Sequence, residues 1–291
     1  MKDKENLKQY TKERLRECQL KQLAILKEID RICHKHGISY WLDGGTLLGA
    51  KRHGGFIPWD DDIDIAMGLT DLKRFEAIAP DELPASLFLQ TTASDIGNSP
   101  IVKIRDLNSL YLEHGDDFET GYVKGIFVDI FPFTEHPDVP RSWIKQLHQG
   151  LSKSYHILHS KHYYSLRSFA EFFWFGAKYL LYNGIWKLLC LCWPCHRYAN
   201  IPIINGYGIT HQRETVLPLT FICFEDAEFP APHDTDQYLR NIYGNYMQLP
   251  PEEKRKTHAE FIQPILVEPT SSAGPPPYYI EAATPKSVTS L

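Results

Sequence analysis

The spacing of apolar residues along the chain predicts helices that alternate with short strands. Between residues 7 and 36 apolar side chains recur every three or four positions, which is typical of an amphipathic helix. Gly37 follows and is expected to end this helix in a left-handed conformation. Thr70 or Asp71 is expected to cap a further helix that runs to about Ile78. Runs of β-favouring residues predict strands over 38–42, 63–67, 87–91, 101–105 and 125–131, the last ending at Pro132.

The second half of the chain has a different pattern. Residues 141–193 are rich in aromatic side chains and predict mostly helix, residues 217–229 predict a hairpin, and Asp234 or Thr235 is expected to cap a last helix to Tyr243. We therefore predict an α/β protein of the α+β type, with a mixed, largely antiparallel sheet and helices packed on it. One domain is expected over 1–266 with a helical insertion at about 141–205, followed by a disordered tail over 267–291.

Charge and composition narrow the class of protein. A net charge of −5 argues against a nucleic-acid partner. The polar N-terminus shows no signal peptide, so a cytoplasmic location is expected. Charged residues interrupt the aromatic stretch over 169–193, which excludes a spanning helix but leaves two readings. It is either a buried subdomain that covers the sheet or a peripheral contact with the inner face of the membrane.

Residues 43–67 gather the residues with the clearest chemistry. Asp62 and Asp64 alternate along a predicted strand, so their carboxylates share a face, about 6–7 Å apart at the backbone. Such a pair suits Mg²⁺, or Mn²⁺, together with substrate phosphates. An aspartate-rich solvated turn is the alternative. Asp60 and Asp61 are expected to shape the turn or to pair with Lys51, Arg52 or His53.

Other residues extend this predicted site. Gly44 and Gly45 would let backbone N–H groups approach phosphate oxygens, although a plain turn has the same sequence. Asp129, between apolar residues on a strand, is the expected third carboxylate; a buried structural aspartate is the alternative, and Asp106 is a weaker rival. Lys103 and Arg105 share one strand face and are assigned to the nucleotide, with a solvated sheet face as the alternative.

The motifs that carry these residues resemble the LicD family, also called the LicD/fukutin-related group of the nucleotidyltransferase superfamily. The resemblance covers about 38–133, and its motifs are Trp41-Leu42-Asp43-Gly44-Gly45-Thr46-Leu47-Leu48-Gly49, Arg52 through Asp64, and Gly125 through Pro132. A weaker resemblance runs from Tyr238 to His258. The resemblance to the LicD family implies a nucleotidyltransferase-like fold. It also implies transfer of a phospho-alcohol group, such as phosphocholine, from a CDP-activated donor to a sugar hydroxyl of a glycan or its lipid-linked precursor.

The resemblance also implies roles for individual residues. Asp62 and Asp64 would hold the metal, Asp129 would be a metal ligand or the base, and the donor would be bound by Gly44, Gly45, Thr46, Arg52, His53, Lys103 and Arg105. Two other functions stay open: a nucleotidyltransferase that moves NMP from an NTP, and a glycan- or nucleotide-binding protein without turnover. Trp41, Trp59 and Tyr122 could stack on a base, but core packing is expected for any one of them.

The cysteines give a weaker pattern. Cys192-Trp193-Pro194-Cys195-His196 matches the spacing of haem attachment and, with Cys190, of a small metal site. Burial as small apolar residues is the expectation that we favour.

Overall fold

The structure is a computed structural model that describes residues 2–94, 100–116, 121–159, 165–255 and 257–265. The predicted tail over 267–291 lies outside these residues. The helices are α1 (Lys2–His36), α2 (Gly44–His53), α3 (Leu69–Glu82), α4 (Arg141–His159), α5 (Leu166–Cys192), α6 (Arg213–Val216) and α7 (Thr235–Tyr243), with a 3₁₀ turn at Glu252–Lys254. The strands are β1 (Tyr40–Leu42), β2 (Asp64–Gly68), β3 (Leu87–Gln90), β4 (Val102–Asp106), β5 (Leu110–Glu113), β6 (Phe127–His136), β7 (Arg197–Asn200), β8 (His211–Gln212), β9 (Thr220–Phe224), β10 (Ala227–Ala231) and β11 (Ala259–Gln263).

The main sheet has the order β1-β2-β6-β4-β3, and β7 and β8 extend it beyond the C-terminal half of β6. The β2–β6 pair is parallel, whereas the other pairs of this sheet are antiparallel. This arrangement confirms the predicted mixed, largely antiparallel sheet with packed helices. Two further antiparallel pairs, β9–β10 and β5–β11, complete the strands.

Local signals predict two of the helix ends correctly. Gly37 has φ +59° after α1, as predicted, and Asp234 caps α7 by accepting a hydrogen bond from the Gln237 N–H at 2.9 Å. The predicted cap of α3 is wrong: the helix already begins at Leu69, so Thr70 and Asp71 lie within its first turn. Asp71 instead pairs with Arg74 at 3.0 Å.

The predicted end of a strand at Pro132 is also wrong, because β6 continues to His136. On one side β6 pairs with β4 up to Ile130 and with β7 from Phe133 onwards. Pro132 lies between these two ladders, where its missing N–H is tolerated. The C-terminal half of β6 therefore pairs with β7, the strand that follows helices α4 and α5.

The core lies between the sheet, α1 and α3. It includes fully buried side chains from each, among them Ile29, Trp41, Ile65, Phe75 and Ile130. A smaller separate cluster joins α4 to α5. The helices of the predicted insertion end at Cys192, and residues 197–200 already belong to the main sheet as β7.

Candidate active site

A row of charged residues crosses the centre of the sheet. The parallel register of β2 and β6 places Asp64 directly beside Asp129, and Lys103 of β4 is the cross-strand partner of Asp129 on the other side. Neighbouring strands are about 4.8 Å apart, so these side chains share one face at contact distance. The Lys103 ammonium lies 2.8 Å from Oδ1 of Asp129. The expectation that Asp64 and Asp129 act together therefore has a geometric basis in the register.

The N-terminus of α2 lies against this row. Asp43 caps the helix, since its side chain accepts from the Gly44 N–H at 2.8 Å, and its own N–H donates to the Asp64 carbonyl at 3.0 Å. The Asp64 N–H donates to the Thr46 hydroxyl at 2.8 Å. Thr46 therefore holds the Asp64 backbone, a positioning contact that the sequence did not reveal.

The glycine pair is required by close approach to carboxylates. Gly44 has φ +50°, and a Cβ there would lie 2.7 Å from Oδ2 of Asp64. A Cβ on Gly45 would lie 2.8 Å from Oδ2 of Asp60. The start of a helix carries unpaired N–H groups and a partial positive charge, so its contact with two carboxylates is favourable. The same N–H groups suit phosphate oxygens.

The loop before β2 forms a second acidic group with a histidine from the far end of the chain. Ligand atoms of Asp60, Asp61, Asp62 and His258 all lie within 4.8 Å of one another. The His258 imidazole is 3.1 Å from Asp62 and 3.4 Å from Asp61. The fully buried Asp61 carboxylate also accepts from the N–H groups of His258 and Ala259, at 3.0 and 2.7 Å. Its partner is thus His258 rather than Lys51, Arg52 or His53.

Burial and mutual repulsion raise the pKa of several of these carboxyl groups. The pKa of Asp60 rises to about 8, because the group is buried and faces Asp62 and Asp61. Burial raises the pKa of Asp64 well above its usual value, and the charges of Asp62 and Asp129 add to this effect. Burial also raises the pKa of Asp129, although Lys103 opposes the shift. A divalent cation would offset this repulsion, and hard carboxylate oxygens are the ligands that Mg²⁺ prefers, so the residues fit such an ion.

Hydrogen bonds act in the opposite direction at the edge of the site. Burial opposes the ionisation of Asp61, but hydrogen bonds from the His258 side chain and from two backbone N–H groups outweigh it and lower the Asp61 pKa. Hydrogen bonds to Asp61 and Asp62 raise the pKa of His258 to about 11. His258 therefore remains a cation at neutral pH when no metal competes for the same carboxylates.

An open cleft of about 490 Å³ leads to the carboxylates. Asp60, Asp62, Asp64 and His258 line it, together with Gly45, Arg52, Trp59 and Tyr243. Arg52 also donates to the Tyr246 carbonyl at 2.8 Å and to the His53 ring at 2.9 Å. A smaller cavity of about 170 Å³ adjoins the other side of Asp64, with Gly44, Asn200 and Tyr207 in its lining.

Some of the basic and aromatic residues that the sequence predicts for the site line the cleft, and others are buried elsewhere. Arg52 and Trp59 line the cleft. Arg105 is only 2% exposed and donates to Gln90 and to the Gly125 carbonyl. Trp41 is equally buried and packs in the core against Phe133. Asp106, the weaker rival of Asp129, pairs with Lys21 at 2.6 Å.

Two contributions to the site were missed by the sequence reasoning. His258 was noted only as the end of a weaker resemblance, and no pattern tied it to Asp61 or Asp62. Tyr238 of α7 donates to the buried Asp43 carboxylate at 2.7 Å and so supports the α2 cap.

The expectation that the cysteines are buried was wrong at Cys192, which is exposed, and Cys190 and Cys195 are half-buried.

The chain is similar in sequence to known proteins along much of its length. Residues 37–172 match the family described as LicD/FKTN/FKRP, nucleotidyltransferase domain. The chain is similar to the lipopolysaccharide cholinephosphotransferase LicD of Haemophilus influenzae, with 27% identity over 276 residues that cover 84% of this chain and 95% of that protein. It is also similar to the human ribitol 5-phosphate transferase FKRP, with 52% identity over 99 residues, which are 33% of this chain and 17% of that protein. These comparisons therefore relate residues 37–172 to the nucleotidyltransferase domain of the LicD/FKTN/FKRP family.

Proposed function

We propose that the protein is a metal-dependent transferase of the LicD type. It moves a phospho-alcohol group, such as phosphocholine, from a CDP-activated donor to a sugar hydroxyl of a cell-surface glycan or its lipid-linked precursor. The named activities of the two relatives support the reaction class, since both transfer such groups. A lipid-linked acceptor would be met at the cytoplasmic face of the membrane, so the proposal includes peripheral contact with that surface.

The observation that carries the proposal is the register of Asp64 and Asp129 beside the N-terminus of α2. Two buried carboxylates directly opposite each other are costly unless a cation or a proton offsets their repulsion. The helix N-terminus next to them suits the phosphates of a nucleotide donor. A binding surface that needed only charge would have no reason to bury these groups at the centre of a sheet.

Asp62, Asp64 and Asp129 would hold Mg²⁺ or Mn²⁺ at this position. When bound, the ion would supply neutralisation of charge on the donor pyrophosphate and on the leaving phosphate. Asp60 and His258 lie next to this ligand set and share Asp62 with it. Lys103 balances part of the charge that Asp129 contributes.

The residues of the chain account for the remaining chemistry. A bond forms between the acceptor oxygen and the β-phosphorus of the donor, the bond from that phosphorus to the bridging oxygen breaks, and CMP leaves. The acceptor hydroxyl gives its proton to a carboxylate of the site, and Asp129 is our candidate where it does not serve as a ligand. Gly44, Gly45 and Thr46 orient the donor phosphates at the first turn of α2, and Arg52 and His53 extend the donor site.

Product analysis tests this function directly. The purified protein is incubated with Mg²⁺, a panel of CDP-choline, CDP-ethanolamine, CDP-ribitol and CDP-glycerol, and glycan acceptors. We expect CMP release with one donor, and a loss of at least about a hundredfold in Asp64→Asn because an interaction of the transition state is removed. The control is Asp71→Asn, which removes a partly buried carboxylate of α3 that pairs with Arg74 outside the site.

The rival functions give different products. Pyrophosphate release from an NTP would replace the proposal with a nucleotidyltransferase. A protein that binds CDP-alcohols but whose rate of CMP release is the same in wild type and Asp64→Asn would be a binding protein without turnover. Either result would overturn the transferase.

A further inference from the structure

The outer face of α5 exposes a continuous apolar stripe. Six of its side chains are between 57% and 92% exposed: Leu166, Phe169, Phe173, Leu180, Leu188 and Leu191. Successive members of this set are three, four, seven, eight and three positions apart, so all six lie on one side of the helix. Phe172, Trp174 and Leu181 widen the stripe and are also at least half exposed. Contiguous apolar patches of this size on a folded protein mark a docking surface.

The opposite face of α5 fixes the orientation of this stripe. Tyr179, Tyr182 and Trp186 pack on the apolar cluster of α4. A Cβ on Gly150 of α4 would lie 2.5 Å from the Tyr182 ring, so the two helices approach closely at this point. The helix pair therefore presents the stripe outwards as a fixed surface, and the reading that α5 is a buried cover for the sheet is wrong.

The charge around the stripe indicates the chemistry of its partner. Helix α5 carries Arg167, Lys178 and Lys187 and a single acidic residue, Glu171, in a chain whose net charge is −5. Glu171 pairs with Arg167 at 3.0 Å, so Lys178 and Lys187 give the helix a net positive charge. The Lys178 ammonium lies 4.8 Å from the centre of the Trp174 ring, with its stem along an aromatic surface. Lysines that extend from an apolar face in this way are typical of helices at an anionic lipid interface.

The dimensions favour a helix that lies on the membrane. With 27 residues, α5 is about 40 Å long. Within the described residues no helix is both long and apolar enough to cross a bilayer. A second copy of the chain is a poorer occupant, because two such basic surfaces would face each other with like charges.

We propose that the outer face of α5 docks the protein on an anionic bilayer, with its aromatic side chains at the level of the headgroups and its lysines on the lipid phosphates. This inference rests on the exposure and charge of α5, and it does not depend on which reaction the cleft performs. Docking through a rigid helix pair would hold the protein in one orientation at the membrane. The stripe would then explain why so many aromatic residues are left outside the core.

Vesicle sedimentation tests the proposal. The full chain is mixed at low salt with vesicles of phosphatidylglycerol and phosphatidylcholine, or of phosphatidylcholine alone. We expect binding to the anionic vesicles that weakens as salt is raised. Phe173→Ser combined with Leu180→Ser should weaken partitioning at least about tenfold, since two large apolar groups are lost from the contact. Lys178→Glu combined with Lys187→Glu should also weaken it while keeping the apolar stripe.

The matched control is Phe221→Ser on β9, an aromatic residue of similar exposure (67%) outside the helix pair. It should bind vesicles like the wild type, and circular dichroism would verify that each variant folds. Absence of vesicle binding, or binding equally affected by the Phe221 change, would overturn the proposal. A concentration-dependent dimer that the stripe variants abolish would assign the surface to a second copy. CMP release in detergent-free solution without vesicles tests the cleft separately, so the two failures are distinguishable.

Discussion

Asp61 and Asp62 are neighbours in the sequence but have different surroundings. Asp61 is fully buried and accepts hydrogen bonds from two backbone N–H groups of the C-terminal segment. Asp62 lines the cleft and faces two other carboxylates. The contacts therefore give Asp61 a structural role, whereas the proposed function assigns Asp62 to the metal site. The alternation of Asp62 with Asp64 along the sequence already predicts this division.

We expect Asp61→Asn to lower the free energy of unfolding by about 1–3 kcal/mol, because an amide nitrogen replaces one acceptor of a buried N–H group. Asp62→Asn should change stability less, because the relief of repulsion from Asp60 and Asp64 offsets the lost attraction to His258, while it abolishes CMP release. Urea denaturation of both variants beside the wild type measures the difference. Equal losses of stability would contradict this division of roles.

Gly44 offers a second prediction at the same scale. Gly44→Ala adds a Cβ against Asp64 and also strains a positive φ, whereas Gly37→Ala has the strain alone, because no atom lies within 4 Å of its Cβ. Gly37→Ala should lose about 1–2 kcal/mol of stability, and Gly44→Ala should lose more because of the added contact. Only Gly44→Ala should lose donor binding, measured by titration of CDP-alcohols. Matching loss of binding in both would show that strain, rather than contact with Asp64, is responsible.

At the scale of elements, the α4–α5 pair joins the sheet through a buried histidine contact. The rings of His136 on β6 and His148 on α4 are 5.2 Å apart, and both pack on Trp186. Burial lowers the pKa of His136 to about 4 and that of His148 to about 3. The Nδ1–H of His148 donates to the Asn205 carbonyl, 3.3 Å away, because a carbonyl oxygen can only accept.

This contact predicts a pH dependence of stability. The unfolded imidazole pKa, near 6.5, lies above both folded values, so the unfolded chain binds more protons below about pH 6.5. Stability contributed by the neutral histidines is therefore lost as the pH falls from about 6.5 towards 4. Relative to His148→Asn, the wild type should lose up to about 1.4 kcal/mol per pH unit in this window. Parallel unfolding curves of the two proteins across that range would contradict the assignment.

The same scale shows what the sequence could predict. The long apolar period of α1 and the alternation in β2 and β4 depend on local spacing, and their positions were predicted to within a few residues. Strands β5, β7, β8 and β11 were missed because they are two to five residues long and pair with partners that are not adjacent in the sequence. Pro132 misled the prediction of β6 because the rule for proline in strands depends on neighbours that the sequence does not show.

At the scale of the whole molecule, the acidic site should link metal binding to stability. Mg²⁺ at a hundred times its Kd should add about 2.7 kcal/mol to the free energy of unfolding, because the ligands are gathered only in the folded state. For a chain of this size that is a rise of several degrees in Tm. Asp64→Asn should lose most of the rise, and NaCl at equal ionic strength should not reproduce it. A rise of the same size in the variant would place the metal elsewhere.

The candidate site itself was only partly predictable. Asp62, Asp64 and the glycine pair lie within one short stretch, so residue type and spacing were enough to propose them. The pairing of Asp64 with Asp129 needed the strand register, and the contact of Asp61 with His258 joins residues 197 positions apart. No local pattern encodes such a contact, because it depends on β11 returning to pair with β5.

That return has a consequence for the newborn protein. Ribosomes add about 5–20 residues per second, so roughly 10–40 s pass between the synthesis of Asp61 and that of His258, its partner. Thr11 of the first helix contacts the same segment through the Glu260 carbonyl, at 3.4 Å. Both earlier parts of the chain therefore remain without this partner until residues 258–260 have been synthesised. In a nascent chain the acidic loop is therefore exposed without His258. The proposed site is complete only after β11 has emerged from the ribosome.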